Sequence, residues 1–106
     1  MINANSKIFV AGHKGLVGSA IVRKLKEKNF KNILIREKSR LDLTDQRQVL
    51  KFLKKEKPEF IFLAAAKVGG IYSNNKFKAE YIYNNLAIQI NIIHSAYLSN
   101  IKDLIF

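Results

Sequence analysis

Residues 7–18, KIFVAGHKGLVG, carry the strongest structural signal in the sequence, because a short apolar run leads directly into three glycines spaced three residues apart. This pattern predicts a strand that turns into a helix across a dinucleotide-binding loop. Gly12 permits the tight turn, Gly15 lets the backbone approach a pyrophosphate, and Gly18 lets the helix lie close to the sheet. The phosphates would bind the free amide groups at the helix N-terminus, where the helix dipole favours anions.

The residues after the glycines have the periodicity of an amphipathic helix. Its predicted apolar face consists of Val17, Ala20, Ile21 and Leu25, and Asn29 is a suitable stop. Glycines at this spacing also occur in flexible loops. The preceding strand and the following helix are what favour the functional interpretation.

The rest of the chain alternates short apolar runs with helical patterns, which predicts a doubly wound parallel α/β sheet with right-handed crossovers. Strands are predicted at residues 32–36 and 60–65 and from Leu104 onward, with room only for a short edge piece near residues 41–43. The run at 60–65 is apolar on both faces, so we expect it in the middle of the sheet.

Two further helices are predicted between these strands. The first is capped by Asp42 or Thr44, ends at Pro58 and has an apolar face of Val49, Leu50 and Leu53. The second covers residues 76–100 and carries two apolar rows: Ile82, Leu86, Ile90, Ile93 and Tyr97 in one, and Ile88, Ile92 and Ala96 in the other. So broad an apolar surface exceeds what packing on one sheet requires, and we expect part of it to be covered from outside this chain.

Length and composition limit the class of protein. With 106 residues the chain forms one domain at most, and the absence of cysteine excludes disulfides, thiolate metal sites and a cysteine nucleophile within it. No apolar stretch is long enough to span a bilayer, and residues 1–6 lack the zones of a secretion signal, so we expect a cytoplasmic location. The net charge of +11 allows nucleic-acid binding as an alternative. The lysines are scattered, however, and their one cluster, residues 54–57, lies at a helix end where cations are usual.

The end of the second strand bears on the choice of cofactor. A carboxylate there would bind the ribose hydroxyls of NAD, whereas cations accommodate the 2′-phosphate of NADP. The segment contains Arg36 and Lys38, and Lys14 in the glycine loop can point the same way. These cations favour NADP(H), although Glu37 opposes that choice and the lysines could also be ordinary solvated side chains.

Four stretches carry a more specific resemblance: AGHKGLVGSAI at 11–21, LAAAKVGGI at 63–71, the pair Asn74-Asn75, and YIYNNLAIQINIIHSA at 81–96. Together they resemble the N-terminal part of the GDP-L-fucose synthase family, which belongs to the extended short-chain dehydrogenases/reductases. The resemblance implies that GDP-4-dehydro-6-deoxy-D-mannose is epimerised at C3 and C5 and reduced at C4 with NADPH. It also implies a homodimer formed through the helix at 76–100. From the scattered lysines and the lack of a long apolar stretch, we expect neither nucleic acid nor a membrane as a partner.

The resemblance also assigns roles to individual residues. It implies that the 2′-phosphate falls on Lys14 and Lys38, where arginine is expected, so a lysine keeps the charge without the planar fork. Asp42 and Leu43 would flank the adenine, and the glycine loop would hold the pyrophosphate. Asn85 would be structural. The full set of expected cofactor contacts is Gly12, His13, Lys14, Gly15, Leu16, Val17, Gly18, Arg36, Lys38, Asp42, Leu43, Leu63, Ala64, Ala65 and Ala66.

The resemblance places the catalytic residues outside this sequence. It implies a serine soon after the strand that begins at Leu104 and a Tyr-x-x-x-Lys pair on the next helix, so we expect them after Phe106, with a C-terminal substrate domain beyond. Tyr72 and Lys76 match the pair in letters but precede the long helix, which is the wrong context. His13 is interpreted as a loop side chain and His94 as a packing residue, and no metal site is expected.

Residues 1–106 are accordingly interpreted as the N-terminal part of a dinucleotide-binding domain. Four functions stay open. The chain is part of a GDP-L-fucose synthase-like enzyme, part of another nucleotide-sugar epimerase or dehydratase, a cofactor-binding remnant without catalysis that serves as a pairing module, or a basic nucleic-acid binder.

Overall fold

The computed structural model describes residues 2–65 and 75–105. Strands and helices alternate along these ranges: β1 (Lys7–Ala11), α1 (Leu16–Glu27), β2 (Asn32–Leu34), α2 (Gln46–Glu56), β3 (Phe60–Leu63), α3 (Asn75–Leu98) and β4 (Asp103–Ile105). The strands form one parallel sheet in the order β2-β1-β3-β4. The predicted doubly wound α/β sheet is confirmed in partial form, and the strand predicted from Leu104 is β4.

Both faces of the sheet are covered, because β1 alternates its side chains between two apolar clusters. Ile8 and Val10 pack with Leu25 of α1, whereas Phe9 and Ala11 pack with residues of α2 and α3 on the opposite face. The chain moves from β1 outward to β2 and returns to β3 on the other side of β1. The strand order therefore reverses between β1 and β3, and a ligand cleft is expected outside the carboxyl ends of these two strands. β3 is central in the sheet, as its apolar sequence predicts.

The predicted apolar face of α1 is only partly buried. Leu25 is buried and Ile21 half-buried, but Val17 and Ala20 are exposed. The reason is that the first turn of α1 lies beyond the end of β1, at the open edge of the sheet, and only later turns pack on the strand. α1 stops as predicted, and Asn29 has a left-handed backbone with φ of 65°.

The cap predicted for α2 was wrong. Asp45 is the N-cap residue, and its Oδ1 accepts hydrogen bonds from the backbone N–H of Arg47 at 3.0 Å and of Gln48 at 3.4 Å. Asp42 instead accepts from the backbone N–H and hydroxyl of Thr44, at 3.0 and 2.6 Å. That turn delays the start of the helix by one residue relative to the Thr44 alternative.

Several other element limits differ from the predictions. β2 and β3 are shorter than expected, ending at Leu34 and Leu63, and the structure assigns no strand to residues 41–43. Leu41 is nevertheless buried in the core with Val49 and Leu53 of α2. A buried turn residue and a buried strand residue have similar sequence signals, which explains the ambiguity.

α3 separates its two apolar rows, as its sequence predicts. Ile88, Ile92 and Ala96 are buried against the sheet side of the molecule. The other row stays between 41% and 75% exposed: Ile82, Leu86, Ile90, Ile93 and Tyr97. His94 is also exposed, with its ring 6.5 Å from that of Tyr97, so the prediction that it is a packing residue was wrong. Among the helices of the described ranges, none has both the length and the apolar character required to cross a membrane.

Candidate functional site

A cleft of about 290 Å³ opens where the sheet order reverses. It lies at the carboxyl ends of β1 and β3 and reaches the segment that follows β2. Its lining consists of Gly12, His13, Lys14, Gly15, Arg36, Glu37, Lys38, Leu41, Asp42, Leu43, Thr44, Ala64, Ala65 and Ile88.

Two of the three glycines in the turn are required by the chain itself. Gly12 has φ of 89°, and a Cβ added there would lie 2.6 Å from the backbone nitrogen and Cα of Ala65. A Cβ on Gly18 would overlap the carbonyl oxygen of Gly12, so α1 could not approach the turn. Any side chain at either position would therefore push apart backbone segments that are in contact.

Gly15 differs from the other two glycines. Its backbone has φ of −71°, which every residue can adopt, and an added Cβ would meet the nearest atom, the Gly12 oxygen, at an ordinary 3.5 Å. Gly15 is also the N-cap of α1 and offers no capping side chain, so the first amide groups of the helix lack a side-chain acceptor there. The fold does not require a glycine at this position. A group that bound at the helix N-terminus would require one, because a side chain would occupy its space.

Charged side chains line the other part of the cleft, the basic end, which includes the side chain of Lys14 from the glycine turn itself. Glu37 faces the glycine turn, with Oε2 2.5 Å from Nζ of Lys14 and Oε1 3.8 Å from Nε2 of His13. The hydrogen bond from Lys14 lowers the pKa of Glu37 below its ordinary value, with further contributions from the charges of Lys14 and His13. The carboxylate is therefore ionised at neutral pH.

The two other cations of this end have different surroundings. The Arg36 guanidinium lies 5.2 Å from the ring centroid of Phe52, and its Nη2 is 3.9 Å from Oε2 of Glu56. Its Nη1 also donates to the Ile35 carbonyl at 2.8 Å. Lys38 forms no ion pair with any residue in the ranges 2–65 and 75–105. Of the two, Lys38 has the more available charge.

The third wall of the cleft is the loop between β2 and α2. Asn91 of α3 donates from Nδ2 to the Leu43 carbonyl at 3.0 Å, and Gln48 accepts from the Asp42 backbone N–H at 3.0 Å. Buried Leu41 and Ile88 form the apolar floor beneath. These contacts hold the loop at a defined distance from the glycine turn.

Most of the residues that the sequence predicts as cofactor contacts meet in this cleft: Gly12, His13, Lys14, Gly15, Arg36, Lys38, Asp42, Leu43, Ala64 and Ala65. Leu16 and Val17 do not line it but are exposed on the first turn of α1, where Leu16 is 90% exposed. Gly18 packs against the turn and Leu63 lies in the core. Ala66 and the tyrosine of the Tyr72–Lys76 pair lie outside the described residues.

Sequence reasoning missed several residues of the cleft. Leu41, Thr44 and Ile88 line it, and Asn91 supports it from α3. A signal for Ile88 existed, because it belongs to the apolar row that contains Ile92. Asn91 had no comparable signal, since its acceptor is 48 positions away in the sequence. Within the described ranges, no three His, Asp or Glu side chains come together as a candidate metal site.

Comparison with known proteins identifies a family and several relatives to which this chain is similar. Residues 8–106 match the model of the NAD dependent epimerase/dehydratase family. The chain is 56% identical over its whole length to a protein of Arabidopsis thaliana named putative GDP-L-fucose synthase 2, and covers 32% of that protein. It is 42% identical over 103 residues to the GDP-L-fucose synthase of Escherichia coli K12. The matched region covers 97% of this chain and 32% of that relative.

A solved structure gives the same picture. The chain superposes on a GDP-mannoheptose C4 reductase from Campylobacter jejuni with NADP bound, with a TM-score of 0.92 and 44% identity. The superposition covers 98% of this chain and 31% of the reductase chain. The predicted resemblance is confirmed by these relatives. The chain spans about a third of the length of the curated proteins that it matches.

Proposed function

The chain belongs to the NAD dependent epimerase/dehydratase family, and on that premise we propose that it is the NADP(H)-binding part of a GDP-L-fucose synthase-like enzyme. Such an enzyme epimerises GDP-4-dehydro-6-deoxy-D-mannose at C3 and C5 and reduces its C4 ketone to give GDP-L-fucose. The names of the curated relatives, GDP-L-fucose synthases, support the product. A cytoplasmic location is part of the proposal and is compatible with a sequence that contains no cysteine.

The observation that carries the proposal is the space at Gly15. Gly12 and Gly18 are explained by contacts within the chain, but Gly15 has room for a Cβ and needs none of a glycine's special backbone angles. A missing side chain in front of open helix amides is what a pyrophosphate requires. The residues of the cleft therefore fit a dinucleotide.

The proposed roles are those that the resemblance implies. Lys14 and Lys38 would hold the 2′-phosphate, and Asp42 and Leu43 would flank the adenine. His13 and the first turn of α1, Leu16 and Val17, would border the pyrophosphate, and Leu63–Ala66 would back the ribose and nicotinamide side. NADPH supplies the hydride for the reduction when it is bound. This chain's own residues bind and orient it, and we propose that the proton-donating serine, tyrosine and lysine follow Phe106.

Calorimetric titration of the purified chain with NADPH and NADH tests the cofactor assignment. We expect tighter binding of NADPH, and we expect 2′,5′-ADP to displace it at concentrations where 5′-AMP does not. Equal affinities for the two dinucleotides would contradict the assignment.

A separate assay addresses the catalytic residues. NADPH oxidation with GDP-4-dehydro-6-deoxymannose is expected only from a longer protein that includes the segment after Phe106. Turnover by residues 1–106 that a Tyr72→Phe substitution abolishes would instead make Tyr72 the acid. Binding without turnover by the longer protein would favour a cofactor-binding remnant.

A second candidate function concerns the sugar. The C. jejuni reductase is 44% identical over 98% of this chain, and it is named for a GDP-mannoheptose. Assays of the longer protein should therefore compare GDP-4-dehydro-6-deoxymannose with a GDP-4-keto-heptose, and a higher kcat/KM for the heptose would replace the fucose assignment.

We also propose that the protein forms a homodimer through the exposed row of α3. Five large apolar side chains of that row, from Ile82 to Tyr97, are between 41% and 75% exposed. The segment from residue 81 to residue 101 contains no Lys, Arg, Asp or Glu, in a chain whose net charge is +11. Two copies could thus meet at this face without the charge repulsion that other faces would cause.

Sedimentation analysis tests the dimer. Ile90→Lys, at the centre of the row, is expected to shift the protein to a monomer, whereas the control Ile2→Lys adds the same charge to an exposed residue outside α3. A wild-type protein that is monomeric at high concentration and unfolds cooperatively would contradict the pairing.

A further inference from the structure

Glu37 connects the two sides of the cleft. It follows β2, and its carboxylate reaches Lys14 and His13, which belong to the glycine turn after β1. Both of its oxygens thus face cationic or proton-donating groups of the turn. The Lys14 contact, at 2.5 Å between Nζ and Oε2, is a short ion pair.

The carboxylate of Glu37 takes the partner that a 2′-phosphate would use. Carboxylate and phosphate are both anions that accept hydrogen bonds from an ammonium group, so they compete for Lys14. The lowered pKa keeps Glu37 charged at neutral pH. A bound 2′-phosphate would have to displace it and would also be repelled by it, whereas a dinucleotide without that phosphate would encounter neither cost.

The neighbouring cations do not remove this competition. Arg36 is engaged with Phe52 and Glu56. Lys38 is available but is the next residue along the chain from Glu37, so the carboxylate also weakens its field. The net charge that the cleft presents to a 2′-phosphate is therefore set by Glu37 as much as by the lysines.

We propose that Glu37 is a specificity-determining residue that competes with the 2′-phosphate for Lys14 and so reduces the preference for NADP(H) over NAD(H). The inference rests on the proposed function, because it assumes that a dinucleotide binds in this cleft. A carboxylate after the second strand can instead bind the ribose hydroxyls of NAD. In the structure its oxygens face Lys14 and His13, which favours competition.

Titration of the Glu37→Gln variant with NADPH and NADH separates these roles, because glutamine keeps the shape and removes the charge. We expect NADPH to bind about fivefold to tenfold more tightly, from the loss of one exposed ion pair and of one nearby like charge. NADH affinity should change less than about twofold.

Glu27→Gln is the matched control. It makes the same change in net charge by removing the partner of Lys24, 3.7 Å away on α1, where both side chains are 68% exposed. It should leave both affinities unchanged. The gain in NADPH affinity from Glu37→Gln should also disappear when Lys14→Gln is present, because Glu37 and the 2′-phosphate then have no ammonium group to compete for.

Three results would overturn the inference. Weaker NADH binding by Glu37→Gln would show that Glu37 binds the ribose, and an unchanged ratio of the two affinities would show that it does not discriminate. If the wild type prefers NADPH in either case, the proposed function stands. If neither dinucleotide binds to the wild type or to any variant, the proposed function and this inference both fail.

Discussion

Different interactions hold the glycine end and the basic end of the cleft in place. At the glycine end, backbone atoms touch each other, and the space available to a Cβ decides which residue is allowed at 12, 15 and 18. At the basic end, exposed side chains are held by ion pairs such as the one between Lys14 and Glu37. The glycine end is therefore rigid and depends on the fold, whereas the basic end can change its charge without changing the fold.

The largest effect is expected from Gly18→Ala. The added methyl group would overlap the Gly12 carbonyl, and neither backbone segment can move without separating α1 from β1. We expect the free energy of unfolding to fall by about 3 kcal/mol or more, measured by urea unfolding. A loss below about 1 kcal/mol would mean that the backbone at the glycine end can relax around an added methyl group.

Gly15→Ala separates ligand binding from stability within the same turn. The alanine has room, so the free energy of unfolding should change by less than about 1 kcal/mol, because the lower entropy of the unfolded chain offsets the weaker preference of alanine for the N-cap position. Binding of NADPH and NADH should weaken together by about tenfold or more, since the methyl group would occupy the space for the pyrophosphate. Calorimetry and urea unfolding of one preparation measure both quantities. Unchanged binding would refute the role of Gly15.

At the basic end, charge reversal should affect binding without affecting the fold. Lys14→Glu and Lys38→Glu should each weaken NADPH binding by about tenfold, and NADH binding far less, because only NADPH carries the 2′-phosphate. The effect should shrink as salt is added. Lys24→Glu, on the outer surface of α1, serves as the control for net charge. Equal losses for both dinucleotides would contradict a 2′-phosphate site.

The smallest effect concerns the stability that the ion pair at the basic end contributes. Because the pKa of Glu37 is lowered from 4.5 in the folded chain, the pair stabilises the fold above about that pH. This contribution is lost as the pH falls below 4.5 and through the lowered pKa. The difference in unfolding free energy between the wild type and Glu37→Gln should therefore vanish in acid, as urea unfolding at a series of pH values would show. A difference that persists in acid would assign it to packing.

The fold could be predicted from the sequence where the signals are local. The glycine spacing, the doubly apolar run of β3 and the two rows of α3 each depend on residues a few positions apart. The prediction of the α2 cap was wrong although its signal is also local, because Asp42, Thr44 and Asp45 are all capable of capping a helix. Asp45 serves as the cap because Asp42 uses its carboxylate to form the preceding turn.

The α/β class and the position of the glycine turn follow from the sequence alone, since both depend on backbone preferences that neighbouring residues encode. The distribution of charges in the cleft depends on the tertiary structure, because Lys14 and Glu37 are 23 positions apart and meet only when β1 and β2 pair. The same is true of Arg36, whose place over Phe52 depends on how α2 packs. Side-chain directions arise from packing between distant elements, so a count of cations near the second strand could not tell which of them is free to bind a phosphate.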